Sequence, residues 1–570
     1  MPRKVAAEGR LTSVEQLDFT PRNKVFPSPD DWRDQVVYQL LIDRFDDAKN
    51  HPPYNPKREK RGRDPKEGQR FQGGKIRGIT RRLDYIRGLG CTTIWISPPL
   101  KNRLDDEASY HGYGAQDFLS IDPRFGTLAD LQNLVREAHR RGMYVILDVV
   151  IDHCGDVWAY PDDRDIIYQN GKRSPFGFWR KGKIWPKELQ NPDVFKREGR
   201  MSDVAESEGD EATDGDFESL KVLDLAQPQV LDVIIKIYKY WIAATDVDGF
   251  RIDAMRHVRP EPGANFCHAI REYATKIGKK NFMLVGEVPG AERMIKYVGN
   301  NTPLDGEEEK ATYPLLDAVL DFALARMLGK ILCGKQSSKK LRERYQMIHD
   351  FYRDYGRAGR YLVTFLENHD MGAGNHRRLL HHDPDPRLSV LGVGYLLTNL
   401  GIPCIYYGME QGFDGGGEED YYVRECMFGG KWGAFDTTGM HFFNPKHPAY
   451  RAIAKINAIR AQTPALRYGR QYFREISGDG EHFGYPTGTQ YTLAYSRILD
   501  TDEVLIAMNL DREERSDCIT VDGLVSPVKS MMTDLFGTVK DLRVQQAKDG
   551  RAFVRVALPG RSMAILTKRV

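Results

Sequence analysis

The feature that most constrains this chain is a helix–glycine–strand unit between Thr127 and Val150. Thr127, with Asp130 three residues on, reads as an N-capping pair, and Leu128, Leu131, Leu134, Val135 and Ala138 fall on one helical face. Gly142 supplies the helix stop. Met143–Val149 follows as an almost unbroken apolar run, the pattern of a strand covered on both faces in a parallel sheet. Such runs recur at Val36–Ile42, Thr93–Ser97, Val247–Asp253, Phe282–Glu287, Leu316–Phe322, Tyr361–Leu366 and Cys404–Tyr407. Eight buried strands, mostly separated by amphipathic helices, predict a closed (β/α)8 barrel, a TIM barrel, rather than an open doubly wound sheet.

Two stretches exceed what a simple barrel needs. About 75 residues separate the third and fourth strands, too many for one loop and one helix. They predict a subdomain B over residues 150–224, mounted on the barrel's C-terminal rim. It includes the aromatic residues Trp158, Tyr160, Phe176, Phe178, Trp179 and Trp185, of which Trp158, Trp179 and Trp185 are read as subdomain core rather than sugar platforms. Its acidic stretch, Glu198–Glu218, is expected to be a mobile solvated loop rather than a metal site. Beyond Gly469 the runs Gln490–Ile498, Glu503–Asn509, Cys518–Val521, Arg551–Leu558 and Ser562–Thr567, with Gly/Asp-rich turns, predict a C-terminal antiparallel β-sandwich over 469–570. The remainder divides into an N-terminal extension, 1–34, and the barrel, 35–468.

Several function classes fall away on composition. Lys+Arg 83 against Asp+Glu 80 leaves a net charge of +3, so no global field marks a nucleic-acid binder. The basic stretch Lys57–Arg70 is interrupted by Glu59, Asp64 and Glu67 and is expected to be a solvated loop. Leu388–Met409 carries no charge and matches a membrane span in length, but it holds Gly392, Gly394, Asn399, Gly401, Pro403 and Gly408. It is read instead as a buried helix (Leu388–Leu400), a Gly-Ile-Pro turn and a strand, with no membrane association. Seven dispersed cysteines suggest no disulfide framework or zinc site. With no apolar leader at the N-terminus, a reducing, cytoplasmic location is expected.

Barrel enzymes carry their reacting groups at the C-terminal ends of the strands. Strand three ends at Asp148 and is followed by His153; strand four ends in Arg251-Ile252-Asp253; strand five ends at Glu287; strand seven runs into Glu367-Asn368-His369-Asp370. Asp253, Glu287 and Asp370 thus converge from three strands on one rim. Two carboxylates with separated pKa values are what glycosidic cleavage requires. Arg251 and Asp253, two apart in a strand, point to one face, so the guanidinium is expected to keep Asp253 ionised. Glu287 has no adjacent cation in sequence and is expected to be the protonated acid.

The segments Asp148-Val-Val-Ile-Asp-His153, Gly249-Phe-Arg-Ile-Asp-Ala-Met-Arg-His257, Gly286-Glu287-Val and Phe365-Leu-Glu-Asn-His-Asp370 together resemble the α-amylase family of retaining glycoside hydrolases and transglycosylases. Tyr110-His-Gly-Tyr113, Gly401–Gly408 and Val37-Tyr-Gln…Asp43-Arg-Phe45 support the likeness, in family order, over roughly residues 35–570. The resemblance implies Asp253 as nucleophile, Glu287 as general acid/base and Asp370 as the third carboxylate. It further implies that Arg251 orients Asp253 and that His153 and His369 hydrogen-bond the sugar. Tyr113 would stack on that sugar, and Asp148 would stand behind His153 and Arg251. Arg256, beside His257, stands where starch-acting members often carry Lys, and both are expected near the leaving-group sugar. Asp152 replaces the Asn that binds structural calcium in many members, so a calcium ligand there is in question; no cofactor is needed for the chemistry. The motif Leu223-Asp-Leu-Ala-Gln-Pro228 is only loosely like the family's. The implied activity is hydrolysis of α-1,4-glucosidic bonds in starch-like or malto-oligosaccharide substrates. The alternative is α-glucan transglycosylation through the same covalent intermediate. A third reading, a noncatalytic binding subunit, is disfavoured because all three carboxylates and Arg251 are present.

Overall fold

Eight parallel strands close on one another in the computed structural model, which describes residues 10–57, 62–290, 297–298, 316–352, 358–371 and 376–568. They are β1 (Val37–Leu40), β2 (Thr93–Ile96), β3 (Tyr144–Val149), β4 (Gly249–Ile252), β5 (Met283–Gly286), β6 (Ala318–Leu320), β7 (Leu362–Thr364) and β8 (Ile402–Tyr406). Each pairs with its sequence neighbours, and β1 pairs with β8 to complete the barrel. Except for β8, the strands are shorter than the apolar runs that predict them, because residues beyond the ladder line the rim. The helix before β3 starts on the predicted cap: Thr127 and Asp130 exchange reciprocal side-chain-to-backbone hydrogen bonds, and Gly142 takes the left-handed conformation (φ 69°) after the helix.

The barrel's interior is filled by Val37, Trp95, Ile146, Met283, Val285, Ala318, Leu320, Val363, Ile402 and Cys404. Trp32, from the N-terminal extension, joins this cluster and donates its indole N–H to the Asn281 carbonyl at 2.9 Å. The extension is therefore part of the barrel's packing. The uncharged 388–409 segment forms a helix, Arg387–Thr398, followed by β8, which begins at Ile402 inside the predicted turn. Among the described residues no helix is long and apolar enough to cross a membrane.

The chain between β3 and β4 leaves at His153–Cys154 and returns beside it at Lys221–Val222, two short strands paired antiparallel. Trp158 is its buried centre, with the rings of Tyr160, Phe176 and Phe195 at 4.7, 5.4 and 5.6 Å. The acidic stretch is a solvated loop only in part: Asp203, Glu206, Glu208 and Asp210 are exposed, but its second half is structured. Gly209–Asp214 is a short helix, Asp214 and Asp216 are buried, and Asp216 receives Tyr160, Lys221 and the Val222 amide. The cations that pair with these two acids, Lys196, Lys221 and Arg259, lie outside the run, so its local charge misleads. Over 62–70 the Lys57–Arg70 stretch is largely exposed, as expected (residues 58–61 lie outside those described), with a short helix, Pro65–Gly68, and Arg63 lying over the Trp432 ring at 4.0 Å. At the C-terminus a six-stranded and a four-stranded antiparallel sheet enclose an apolar core of Leu505, Ala507, Ile519, Val554 and Leu566. This unit docks on the 387–398 helix through buried Arg497, which donates to the Thr398, Leu466 and Gly469 carbonyls.

A second buried arginine fixes the end of β7. Arg378 is fully buried and binds Glu367 (3.1 Å) and Glu425 (2.8 Å), and it also donates to the Tyr407 and Val423 carbonyls. Replacing it would strand two buried carboxylates. Arg378→Met is expected to cost about 3–5 kcal/mol, read as a lower urea midpoint; an unchanged midpoint would show that the two glutamates find other partners.

Candidate active site

At the C-terminal rim one guanidinium organises three carboxylates. Arg251, on β4 and fully buried, lies 2.6 Å from Asp253 Oδ1, 2.9 Å from Asp148 Oδ1 and 2.8 Å from Glu287 Oε2. Barrel register explains the convergence. Arg251 sits opposite Asp148 on β3 and Val285 on β5, which puts Glu287 just past the facing strand. The expectation that Glu287 lacks a cation therefore fails: the cation comes across the sheet from the adjacent strand, where sequence adjacency gives no sign of it. Glu287 Oε2 also accepts the Ala254 amide at 3.0 Å.

Three carboxylates against one cation leave the cluster two negative charges in excess. Burial pushes Asp253 well above the usual carboxylate range; Arg251 opposes this, while Glu287 and Asp148 reinforce it. Burial likewise lifts Asp148 to about 6 despite Arg251, Tyr113 and Trp95. The simple lowering of Asp253 by its arginine is thus not found, since burial outweighs the guanidinium. The cluster retains a proton at pH values where isolated carboxylates have lost theirs.

Behind the carboxylates runs a chain of hydrogen bonds. Gln39 on β1 meets His369 Nδ1 at 2.7 Å, His369 Nε2 meets the Tyr113 hydroxyl at 2.5 Å, and that hydroxyl donates to Asp148 Oδ2 at 2.8 Å. Burial and the nearby Arg424 and Arg251 hold His369 neutral, well below the ordinary histidine value. If the Gln39 amide donates to Nδ1, the proton of neutral His369 lies on Nε2, facing Tyr113. Tyr113 stacks with His369 (centroids 5.4 Å, 7°) and is 8% exposed. Trp95 donates its indole N–H to Asp148 at 2.9 Å. Asp148 thus stands behind Arg251 and Tyr113, whereas the carboxylate behind His153 is Asp152, whose Oδ1 lies 2.9 Å from Nδ1. His153 Nε2 is buried, has no hydrogen-bond partner among the described residues and lies 3.8 Å from Asp253 Oδ2. It is free to bond a bound molecule.

Asp370 is set apart from the Arg251 cluster, its side chain 40% exposed, and is held by Arg424 at 3.2 Å. Arg424 also donates to the His369 carbonyl, at 2.7 Å, and lies 2.7 Å from Asp420. Arg256 and His257 are committed to the inserted subdomain. Arg256 donates to the Ala205 and Ser207 carbonyls (2.8 and 2.7 Å), and His257 Nδ1 lies 2.7 Å from the Ala212 carbonyl. Between His153 and His257 stands Phe217, with centroids 4.8 and 4.7 Å away. Gln39, Trp95, Phe217 and Arg424 were not singled out from sequence. A polar residue inside an apolar strand is a usable signal for Gln39; Phe217 and Arg424 lie on connections whose placement only the fold determines.

Residues 39–469 match the family model described as "Alpha amylase, catalytic domain". An α-amylase of Streptomyces lividans is 31% identical over 89% of this chain and 57% of its own length. A cyclomaltodextrin glucanotransferase of Geobacillus stearothermophilus is 28% identical over 89% of this chain and 63% of its own. The chain therefore spans less than two thirds of either relative. Among solved structures, a cyclomaltodextrin glucanotransferase with a three-domain ABC distribution superposes with a TM-score of 0.70 at 25% identity, covering 95% of this chain and 100% of that one.

The charge excess has a consequence for stability. Asp253 is raised above its unfolded value near 3.8, so at neutral pH its ionised form is disfavoured in the folded state, and the penalty disappears once both states are protonated. Asp253→Asn is expected to raise Tm at pH 7, with the difference from the parent closing as pH falls to about 4. A lower Tm at pH 7 would show that the Arg251 ion pair outweighs the burial of the carboxylate.

Proposed function

Because this chain belongs to the α-amylase family, we propose that it cleaves α-1,4-glucosidic bonds of starch-like or malto-oligosaccharide substrates with retention, by double displacement. The observation that carries this reading is the grouping of Asp253 and Glu287 about buried Arg251, with Asp370 on the same rim. Asp253 attacks the anomeric carbon and forms a glycosyl ester as the bond to the leaving oxygen breaks. Glu287 delivers its proton to that oxygen. Water then attacks the anomeric carbon, Glu287 takes back a proton, and Asp253 is released as carboxylate. Asp370 holds sugar hydroxyls and favours the distorted ring. His153 donates or accepts through its unpaired Nε2, and Tyr113, stacked between His111 and His369, meets the sugar's apolar face. No cofactor enters these steps.

Transfer to a sugar hydroxyl instead of water is the second reading. It is favoured by the similarity to two cyclomaltodextrin glucanotransferases, and it uses the same intermediate. The inserted subdomain and the Gly415-Gly-Gly-Glu-Glu segment after β8 are where the two outcomes would part.

Asp253→Asn is expected to lower kcat at least a thousandfold while the folded state persists; near-parental turnover would sink the mechanism. Glu287→Gln should lose most activity on maltoheptaose and retain more on activated aryl maltosides, whose leaving groups need no proton. Product analysis of maltoheptaose digests, with the first-formed anomer read by NMR, should give the α-anomer. A β-anomer first would contradict retention, and products longer than heptaose would assign transfer.

A further inference from the structure

The position of Asp152 implies calcium by family resemblance, so its surroundings decide whether such an ion fits. Calcium takes six to eight oxygen ligands at ~2.3–2.6 Å. Asp152 offers one candidate oxygen, since its Oδ2 is buried with no hydrogen-bond partner among the described residues. It shares the wall of a cavity of about 20 Å³ with Lys196, Asp214 and His257. The other acids there already have a cation. The Lys196 ammonium lies 2.9 Å from Asp214 Oδ1 and 3.0 Å from Asp224 Oδ1. Arg259, on the loop after β4, takes Asp214 Oδ2 and lies 2.9 Å from Asp210. Among the described residues no three His, Cys, Asp or Glu side chains are grouped to hold a metal. A divalent ion beside that ammonium would face direct repulsion in a half-buried space. The donor set does not fit calcium.

We infer that the Lys196 ammonium takes over the work of the calcium ion, holding together the part of the inserted subdomain that faces the catalytic rim with a cation carried by the chain itself. The topology supports this. Lys196 extends the segment in which Phe195 bridges Leu223, and Asp224 follows that bridge on the strand returning to the barrel. Asp214 ends the short helix whose Ala212 carbonyl meets His257. One ammonium therefore ties the Lys196 segment of the subdomain to its acidic helix and its returning limb. Arg259 extends the tie to the loop that follows Asp253. Burial works against the ammonium, but Asp214 and Asp224 hold its pKa above the ordinary lysine value. Lys196 is a positioning residue: it touches no reacting group, but it steadies the wall that carries Phe217 and His257.

Amide hydrogen exchange over residues 196–224 tests this in the whole chain. For the parent, exchange should be the same after exhaustive dialysis against EGTA and in millimolar CaCl2. Lys196→Met should speed exchange in this segment at least tenfold, and Lys196→Arg should stay within threefold of the parent. Faster exchange of the parent in EGTA, reversed by CaCl2, would assign the fastening to a metal and overturn the proposal. So would a Lys196→Met variant as protected as the parent, or a Lys196→Arg variant as unprotected as Lys196→Met. If Lys196→Met fails to fold, the parent's response to EGTA and CaCl2 still decides.

Discussion

The site depends on one buried guanidinium shared among three carboxylates. Arg251 lies within 2.9 Å of Asp148, Asp253 and Glu287, each carried by a different strand or strand end. A lysine would not serve, because a point charge cannot present two nitrogens to three acids in fixed directions. The barrel supplies the geometry: register brings the arginine of β4 between β3 and β5, and the closed sheet excludes water from behind it. In that setting burial and mutual repulsion dominate the carboxylates' titration, and the arginine moderates an upward shift without reversing it.

A second level of organisation holds this cluster from outside. The line from Gln39 through His369 and Tyr113 to Asp148 ties β1, the β7 end and the β2–β3 connection to the buried side of the site. Arg378 and Arg424 clamp the connections after β7 and β8, so that Asp370 projects from a braced turn. The inserted subdomain closes the remaining side with Phe217, which packs on His257 of the segment after β4; Arg256 and Arg259 fasten it there and Lys196 braces it from within. Buried charges recur because each must turn a chain segment lacking sheet or helix hydrogen bonds, and arginine's five donors satisfy several carbonyls at once.

Much of this was legible in the sequence. The eight apolar runs, the Thr127–Asp130 cap and the strand-end carboxylates are local signals, because strand burial and capping are decided within a few residues. The errors share a cause. Glu287 has no cationic neighbour in sequence, yet Arg251 reaches it across a strand pair. Asp148 was set behind His153, but Asp152 is there. Within the acidic run 198–218, Asp214 and Asp216 looked solvated because Lys196, Lys221 and Arg259 lie outside it. Each concerns which charges meet, and charges act through space with no periodicity to mark them.

By itself the sequence determined the barrel, the family likeness and the identities of the acids at the rim, since buried strands need continuous apolar runs and their ends are countable. Only the tertiary structure decided who shares Arg251, what holds His153, and which cation sits among the acids of the inserted subdomain. The reason is physical. Hydrophobic patterning is written along the chain, whereas the field at a buried carboxylate is a sum over neighbours that folding alone brings within a few ångströms.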